Sequence, residues 1–200
     1  MSRNLMAILR GVTPNEVVAL GEQLVQAGIH QIEVPLNSPN ALASIAKLHK
    51  ALGEQAFIGA GTVLSVVDAK AVYAHGGEFI VSPNCNPDVI KATKDMGLMS
   101  YPGVLTPTEC FAALDSGADL LKLFPAFLLG VNGFKAIQAI LPKHVKCFAV
   151  GGIGSDDFAQ WRQAGIAGFG LASNLYSPGD SPQQMALKAK ILVNAWDNTL

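Results

Sequence analysis

The sequence predicts an α/β fold, a closed (β/α)8 barrel, and three observations carry that prediction. Eight short apolar runs recur along the chain, each followed by a turn and then a longer segment of helical periodicity. Helix-start signals, often Ser, Thr or Asn before Pro, open most of the longer segments. Glycines close them. Two hundred residues divided among eight units leave 25 for each, close to the minimum for a strand, a helix and two loops. No linker or low-complexity stretch interrupts the beat, so one domain, 1–200, is expected.

The elements follow in order. LMAILR (5–10) is the first strand, and Thr13-Pro14-Asn15-Glu16 opens the helix that ends at Ala27-Gly28. QIEVPL (31–36) is followed by Ser38-Pro39, and AFIGAG (56–61) by a helix ending at Gly76-Gly77. EFIVSP (78–83) precedes Asn86-Pro87 and a stop at Met96-Gly97. LMSYPG (98–103) precedes Thr106-Pro107-Thr108-Glu109, a full capping-box pattern, with a stop at Ser116-Gly117. LLKLFP (120–125), KCFAVGG (146–152) and AGFGLAS (167–173) complete the eight. Ser155-Asp156-Asp157 and Ser181-Pro182 start the last two helices, the first of them ending at Ala164-Gly165. Alternating strands and helices imply a parallel sheet with right-handed crossovers, and eight units favour a minimal TIM-type barrel. An open doubly wound sheet is the alternative, but no G-x-G-x-x-G follows the first strand.

Composition excludes several functions. Half the residues are apolar, 14% are charged and the net charge is −1, so no nucleic-acid patch is expected. No apolar stretch reaches membrane-spanning length, and Met1–Arg10 is too short for a signal peptide. Three widely spaced cysteines, Cys85, Cys110 and Cys147, read as free thiols in a reducing cytoplasm. His30, His49, His75 and His144 have no metal-ligand spacing and read as surface residues.

Polar residues inside parallel strands carry the chemistry, since such strands are covered on both faces. Lys122 shares a strand face with Leu120 and Phe124; Leu121 and Leu123 take the other. Glu33 is flanked by Ile32 and Val34, which also face away. Strands two and six lie diametrically opposite in a ring of eight, so the two side chains can meet in the centre near the catalytic C-terminal face. A structural ion pair is one reading. The other is an amine made nucleophilic by desolvation beside a proton-moving carboxyl, the equipment for Schiff-base chemistry. Lys135 and Lys143 sit in or after a helix and serve this less well. Gly59 and Gly61 leave room at the barrel mouth for substrate to approach the backbone. Gly151-Gly152-Ile153-Gly154 and Ala172-Ser173 follow strands seven and eight, the usual phosphate position of these barrels, although GGIG alone could be a tight turn. Arg10, at the C-terminal end of the first strand, suits an anion or a rim salt bridge.

The motifs ILRG, IEVPLNSP, GAGTVL, SPN (82–84), PG (102–103), LKLFPA and AVGGI, in that order, resemble the 2-keto-3-deoxy-6-phosphogluconate aldolase family of class I pyruvate aldolases over essentially the whole chain. The resemblance implies a homotrimer of barrels with Lys122 as Schiff-base lysine and Glu33 as general acid/base. It implies Arg10 and Thr62 on the substrate carboxylate, and Gly151, Gly152 and Ser173 on the phosphate. It implies no cofactor and no metal, with pyruvate and glyceraldehyde 3-phosphate as products. Gluconate-type members carry Arg-Thr and Pro-Thr where this chain has Asn37-Ser38 and Ala149-Val150, a departure that points to the galactonate branch. Val150, unable to hydrogen-bond a hydroxyl, would then bear on which epimer is accepted. A gluco-epimer aldolase, a phosphate-binding barrel isomerase or synthase, and a non-catalytic sugar-phosphate sensor are the alternatives.

Overall fold

The computed structural model describes residues 3–199; residues 1, 2 and 200 of the expected 1–200 domain lie outside the described residues. The strands are β1 (Leu5–Ile8), β2 (Gln31–Pro35), β3 (Phe57–Gly61), β4 (Phe79–Val81), β5 (Met99–Tyr101), β6 (Gly103–Val104), β7 (Leu121–Leu123), β8 (Cys147–Val150) and β9 (Gly168–Leu171). The helices are α1 (Val17–Ala27), α2 (Ala41–Leu52), α3 (Val66–Ala74), α4 (Pro87–Asp95), α5 (Pro107–Asp115), α6 (Ala126–Gln138), α7 (Phe158–Gln163) and α8 (Pro182–Asp197).

All pairings are parallel, in the order β5-β4-β3-β2-β1-β9-β8-β7-β6. β5 and β6 are two halves of the fifth expected strand, split at Pro102, which has no N–H to give to a ladder. Its carbonyl still accepts from the Lys122 N–H at 2.9 Å, and the Asp119 N–H reaches the Ser100 carbonyl at 3.0 Å. The fifth strand therefore pairs with β4 on one side and β7 on the other, and the ring closes.

Side-chain alternation sorts the core into two layers. Ile32, Val34, Ile58, Leu121, Leu123, Phe169 and Leu171 pack outward against the helices. Met6, Ile8, Phe79, Val81, Tyr101, Leu120, Phe148 and Val150 fill the barrel. Phe57, Phe79 and Tyr101 stack with centroids 5.0 and 5.3 Å apart, laying an aromatic stack inside the barrel. A side chain on Gly168 would strike the Phe148 ring, so β9 yields its interior volume to β8.

Half of the six predicted caps form as expected. Thr106–Glu109 and Ser181–Gln184 are capping boxes, and Asn86 accepts from the Asp88 N–H. Three do not. Ser38 is not the cap of α2, which starts at Ala41 behind Asn40; its hydroxyl accepts from the Gly11 N–H at 2.9 Å instead. Ser155 opens a short 3-10 turn, where Asp157 accepts from the Gly154 N–H, and α7 begins only at Phe158. Glu16 reaches back to the Thr13 N–H at 2.8 Å, but α1 proper starts at Val17, three residues after Pro14. Ser65 caps α3, a cap absent from the sequence reading. The five predicted stop glycines, Gly28, Gly76, Gly97, Gly117 and Gly165, all take positive φ. No described helix is long and apolar enough to cross a membrane.

Candidate active site

Glu33 on β2 and Lys122 on β7 both point into the barrel, and they are 1% and 6% exposed. They do not form an ion pair: no Lys122 nitrogen lies within 4.0 Å of a Glu33 oxygen. Lys122 Nζ rests 4.8 Å from the centroid of the Phe124 ring. Glu33 Oε2 is buried without a hydrogen-bond partner among the described residues.

The space for that carboxyl comes from Gly61, where a Cβ would overlap Glu33 Oε1. The volume beside Gly59 is likewise taken, by the ring and carbonyl of Phe79. These two glycines thus accommodate protein groups, not the substrate approach expected of them.

Burial sets the electrostatics. Desolvation raises the Glu33 carboxyl above the ordinary carboxylate range, against the pull of Lys122 and Arg10. Desolvation lowers the Lys122 amine below an ordinary lysine, with Arg10 adding to the effect and Glu33 opposing it. Both groups are pushed toward their neutral forms.

The other predicted residues gather at the same end. Arg10 lies two residues past β1, exposed, and its Nη1 donates to Asn37 Oδ1 at 2.6 Å. Thr62 lies one residue past β3, half-buried, with φ 57. Val150, the last residue of β8, is buried in the interior cluster, and its methyls fill the volume beside Gly170. Gly151 and Gly152 take φ of 94 and 71 and line a cavity of about 260 Å3 together with Gly154, Ala172, exposed Ser173 and Asn174. A larger concavity of about 730 Å3 runs between α6 and α7 and meets the first at Gly152 and Ile153; neither Glu33 nor Lys122 lines it.

The four histidines and both Lys135 and Lys143 are exposed, and no cluster of three or more His, Cys, Asp or Glu able to hold a metal occurs among the described residues. Cys110 and Cys147 are buried thiols and Cys85 is half-buried. Sequence reasoning did not find the Asn37 contact to Arg10 or the hold of Glu33 on the Gly61 space. Both are pairings between separate strands or loops, and no local signal announces them.

The KDPG and KHG aldolase family model matches residues 2–177. The chain is 43% identical over 192 residues to the 2-dehydro-3-deoxy-6-phosphogalactonate aldolase of Escherichia coli strain K12, covering 96% of this chain and 94% of that one. It is 42% identical to a probable 2-dehydro-3-deoxy-6-phosphogalactonate aldolase of Rhizobium meliloti, covering 98% and 93%. A solved native KDPGal structure superposes with a TM-score of 0.97 at 41% identity, covering 100% of this chain and 97% of that chain.

Proposed function

The chain belongs to the KDPG and KHG aldolase family, and from that premise we propose that it cleaves 2-dehydro-3-deoxy-6-phosphogalactonate to pyruvate and glyceraldehyde 3-phosphate through a Schiff base on Lys122. One observation carries the residue assignment: a buried amine and a buried carboxyl face each other across the barrel, unpaired, each displaced toward its neutral form.

The directions of the two shifts suit the steps. Neutral Lys122 Nζ adds to the keto carbon at position two. Protonated Glu33 gives its proton to the carbinolamine hydroxyl, which leaves as water, and an iminium forms. The resulting Glu33 carboxylate takes the proton from the hydroxyl on carbon four. The bond between carbons three and four breaks, its electrons pass to the iminium nitrogen, and glyceraldehyde 3-phosphate departs. Glu33 then protonates carbon three of the enamine, and water releases pyruvate. The iminium is the electron sink, so the steps as written draw on no other group. Arg10 and Thr62 hold the carboxylate; Gly151, Gly152 and Ser173 hold the phosphate at the cavity between the last two strand ends.

The galacto epimer rests on Val150 and Asn37, which stand where gluconate-type members have Thr and Arg. A homotrimer is part of the same reading, supported by the exposed apolar side chains Leu64 and Val67 beside the barrel mouth, 51% and 76% accessible. So is a cytoplasmic location, which suits three unbridged thiols.

The test is reduction with borohydride in the presence of pyruvate. The wild-type chain gains one pyruvyl mass on Lys122, and Lys122→Arg, which keeps the charge but cannot form an imine, gains none and loses cleavage. An adduct that persists on another lysine would refute the assignment. An active enzyme with no adduct would replace it with plain acid–base chemistry.

A further inference from the structure

Thr62 has a backbone that its side chain does not favour. Among the described non-glycine residues, only Asn40 and Thr62 take positive φ, at 47 and 57. Asparagine adopts this left-handed region routinely; a β-branched threonine does so only when its surroundings force it. The forcing contacts are identifiable. On one side the Gly61 carbonyl accepts from the Leu36 N–H at 2.8 Å. On the other the Val63 N–H donates to the Val81 carbonyl at 3.3 Å. The one side-chain contact in the set is Ser82, whose hydroxyl donates to the Val63 carbonyl at 2.8 Å. Ser82 is 4% exposed and Val63 fully buried, so that bond has no water to compete with it. Ser82 is itself anchored, its N–H donating to the Tyr101 carbonyl at 3.2 Å. The hydroxyl and the N–H of Ser82 thus join the ends of the third, fourth and fifth strands around Thr62.

We propose that Ser82 is a positioning residue: its hydroxyl holds the Thr62–Val63 turn in the strained left-handed form that presents Thr62 to the substrate carboxylate. Strain maintained at a strand end of the catalytic face has a use only if the relaxed conformation aims the side chain elsewhere. Ser82 never touches substrate. It acts through Thr62, and the inference rests on the proposed carboxylate role of Thr62.

A double-mutant cycle reads this directly, with half-saturating pyruvate in the borohydride reaction as the measured quantity. Thr62→Ala and Ser82→Ala each raise that concentration about tenfold, the worth of one well-placed hydrogen bond. The half-saturating concentration of glyceraldehyde 3-phosphate in the synthetic direction stays within twofold for both. In the Thr62→Ala background, Ser82→Ala adds less than about twofold, because the side chain it would misplace is gone. Ser82→Cys, close in size and a weaker donor, falls between wild type and Ser82→Ala, and it runs the same cycle if Ser82→Ala does not fold. Equal effects of the serine substitution in both backgrounds, or an equal loss of affinity for both ligands, overturn the proposal and leave Ser82 a general stability residue. An unchanged pyruvate value for Thr62→Ala alone overturns the carboxylate reading of Thr62 and the proposal with it.

Discussion

Replacing Gly61 with alanine adds one methyl group, and the structure specifies what that methyl meets. The new Cβ would overlap Glu33 Oε1 and Cδ and lie 2.9 Å from Cγ. The backbone cannot retreat: Gly61 pairs with Pro35 in the ladder, and its carbonyl accepts from Leu36 at 2.8 Å. Its φ is not in the left-handed region, so alanine brings no backbone strain of its own. The carboxyl must move. Overpacking of this kind costs about 1–3 kcal/mol of stability, a Tm drop of roughly 2–12 °C for a chain of this size. The catalytic cost is larger. If Glu33 is the proposed general acid–base, its displacement forfeits a contribution of about 10²–10⁴ in rate, or roughly 3–5 kcal/mol of the barrier. Glu33→Gln should show the same loss, and the double variant should be no slower than the worse single. Gly59→Ala is the control, since its Cβ strikes Phe79 and not the carboxyl. It should lose stability without the acid–base signature. Cleavage rates for the four proteins, with melting curves, decide the matter. Gly61→Ala turning over within a few-fold of wild type would refute the placement of Glu33, and so would losses that multiply fully in the double variant.

Three further outcomes follow from the site. The lowered pKa of Lys122 means that its neutral fraction, and with it the rate of pyruvate trapping, should rise with pH through a midpoint below the 10.5 of an ordinary lysine; a midpoint at or above it contradicts the desolvation argument. Arg10→Ala should weaken pyruvate binding more than glyceraldehyde 3-phosphate binding, and Ser173→Ala should do the reverse; both effects on one ligand would mean the substrate lies the other way round. Val150→Thr should raise turnover of the gluco epimer and blunt a wild-type preference for the galacto epimer by about tenfold, because one hydrogen bond gained or left unmade in a dry site is worth about 1–3 kcal/mol; a wild-type preference for the gluco epimer contradicts the branch assignment.

The strands were legible because their signal is local. Each expected run but the fifth contains its observed strand, trimmed by one to three residues; Pro102 divides the fifth, whose second half extends to Val104. The inward direction of Glu33 and Lys122 was also legible, since alternation about fixed apolar neighbours decides it. What escaped was set by partners distant in the chain. Ser38-Pro39 and Ser181-Pro182 carry the same local signal, yet only Ser181 caps a helix. The Gly11 N–H is within reach of Ser38, and a tertiary bond takes its hydroxyl. Gly59 and Gly61 announce empty volume but not its occupant. Asn37, read from the sequence only as a departure from the gluconate-type Arg, turns out to accept from Arg10, a relation no spacing rule connects.

The packing of the barrel and the chemistry of its site have a common origin. The interior cluster leaves Glu33 and Lys122 almost without solvent. A dry interior would ordinarily reject a lysine and a glutamate, or accept them only as a closely bonded ion pair. Here Gly61 draws the carboxyl to the β3 wall and Phe124 lies against the amine, so the closure to an ion pair is not made. With that closure missing, desolvation outweighs attraction at both groups, and each moves toward neutrality. In the proposed mechanism an amine that must attack a carbonyl and an acid that must release water need a shift in those same directions. On that reading, restoring the ion pair would stabilise the charges and remove the proposed nucleophile together, so activity would depend on an attraction left unsatisfied.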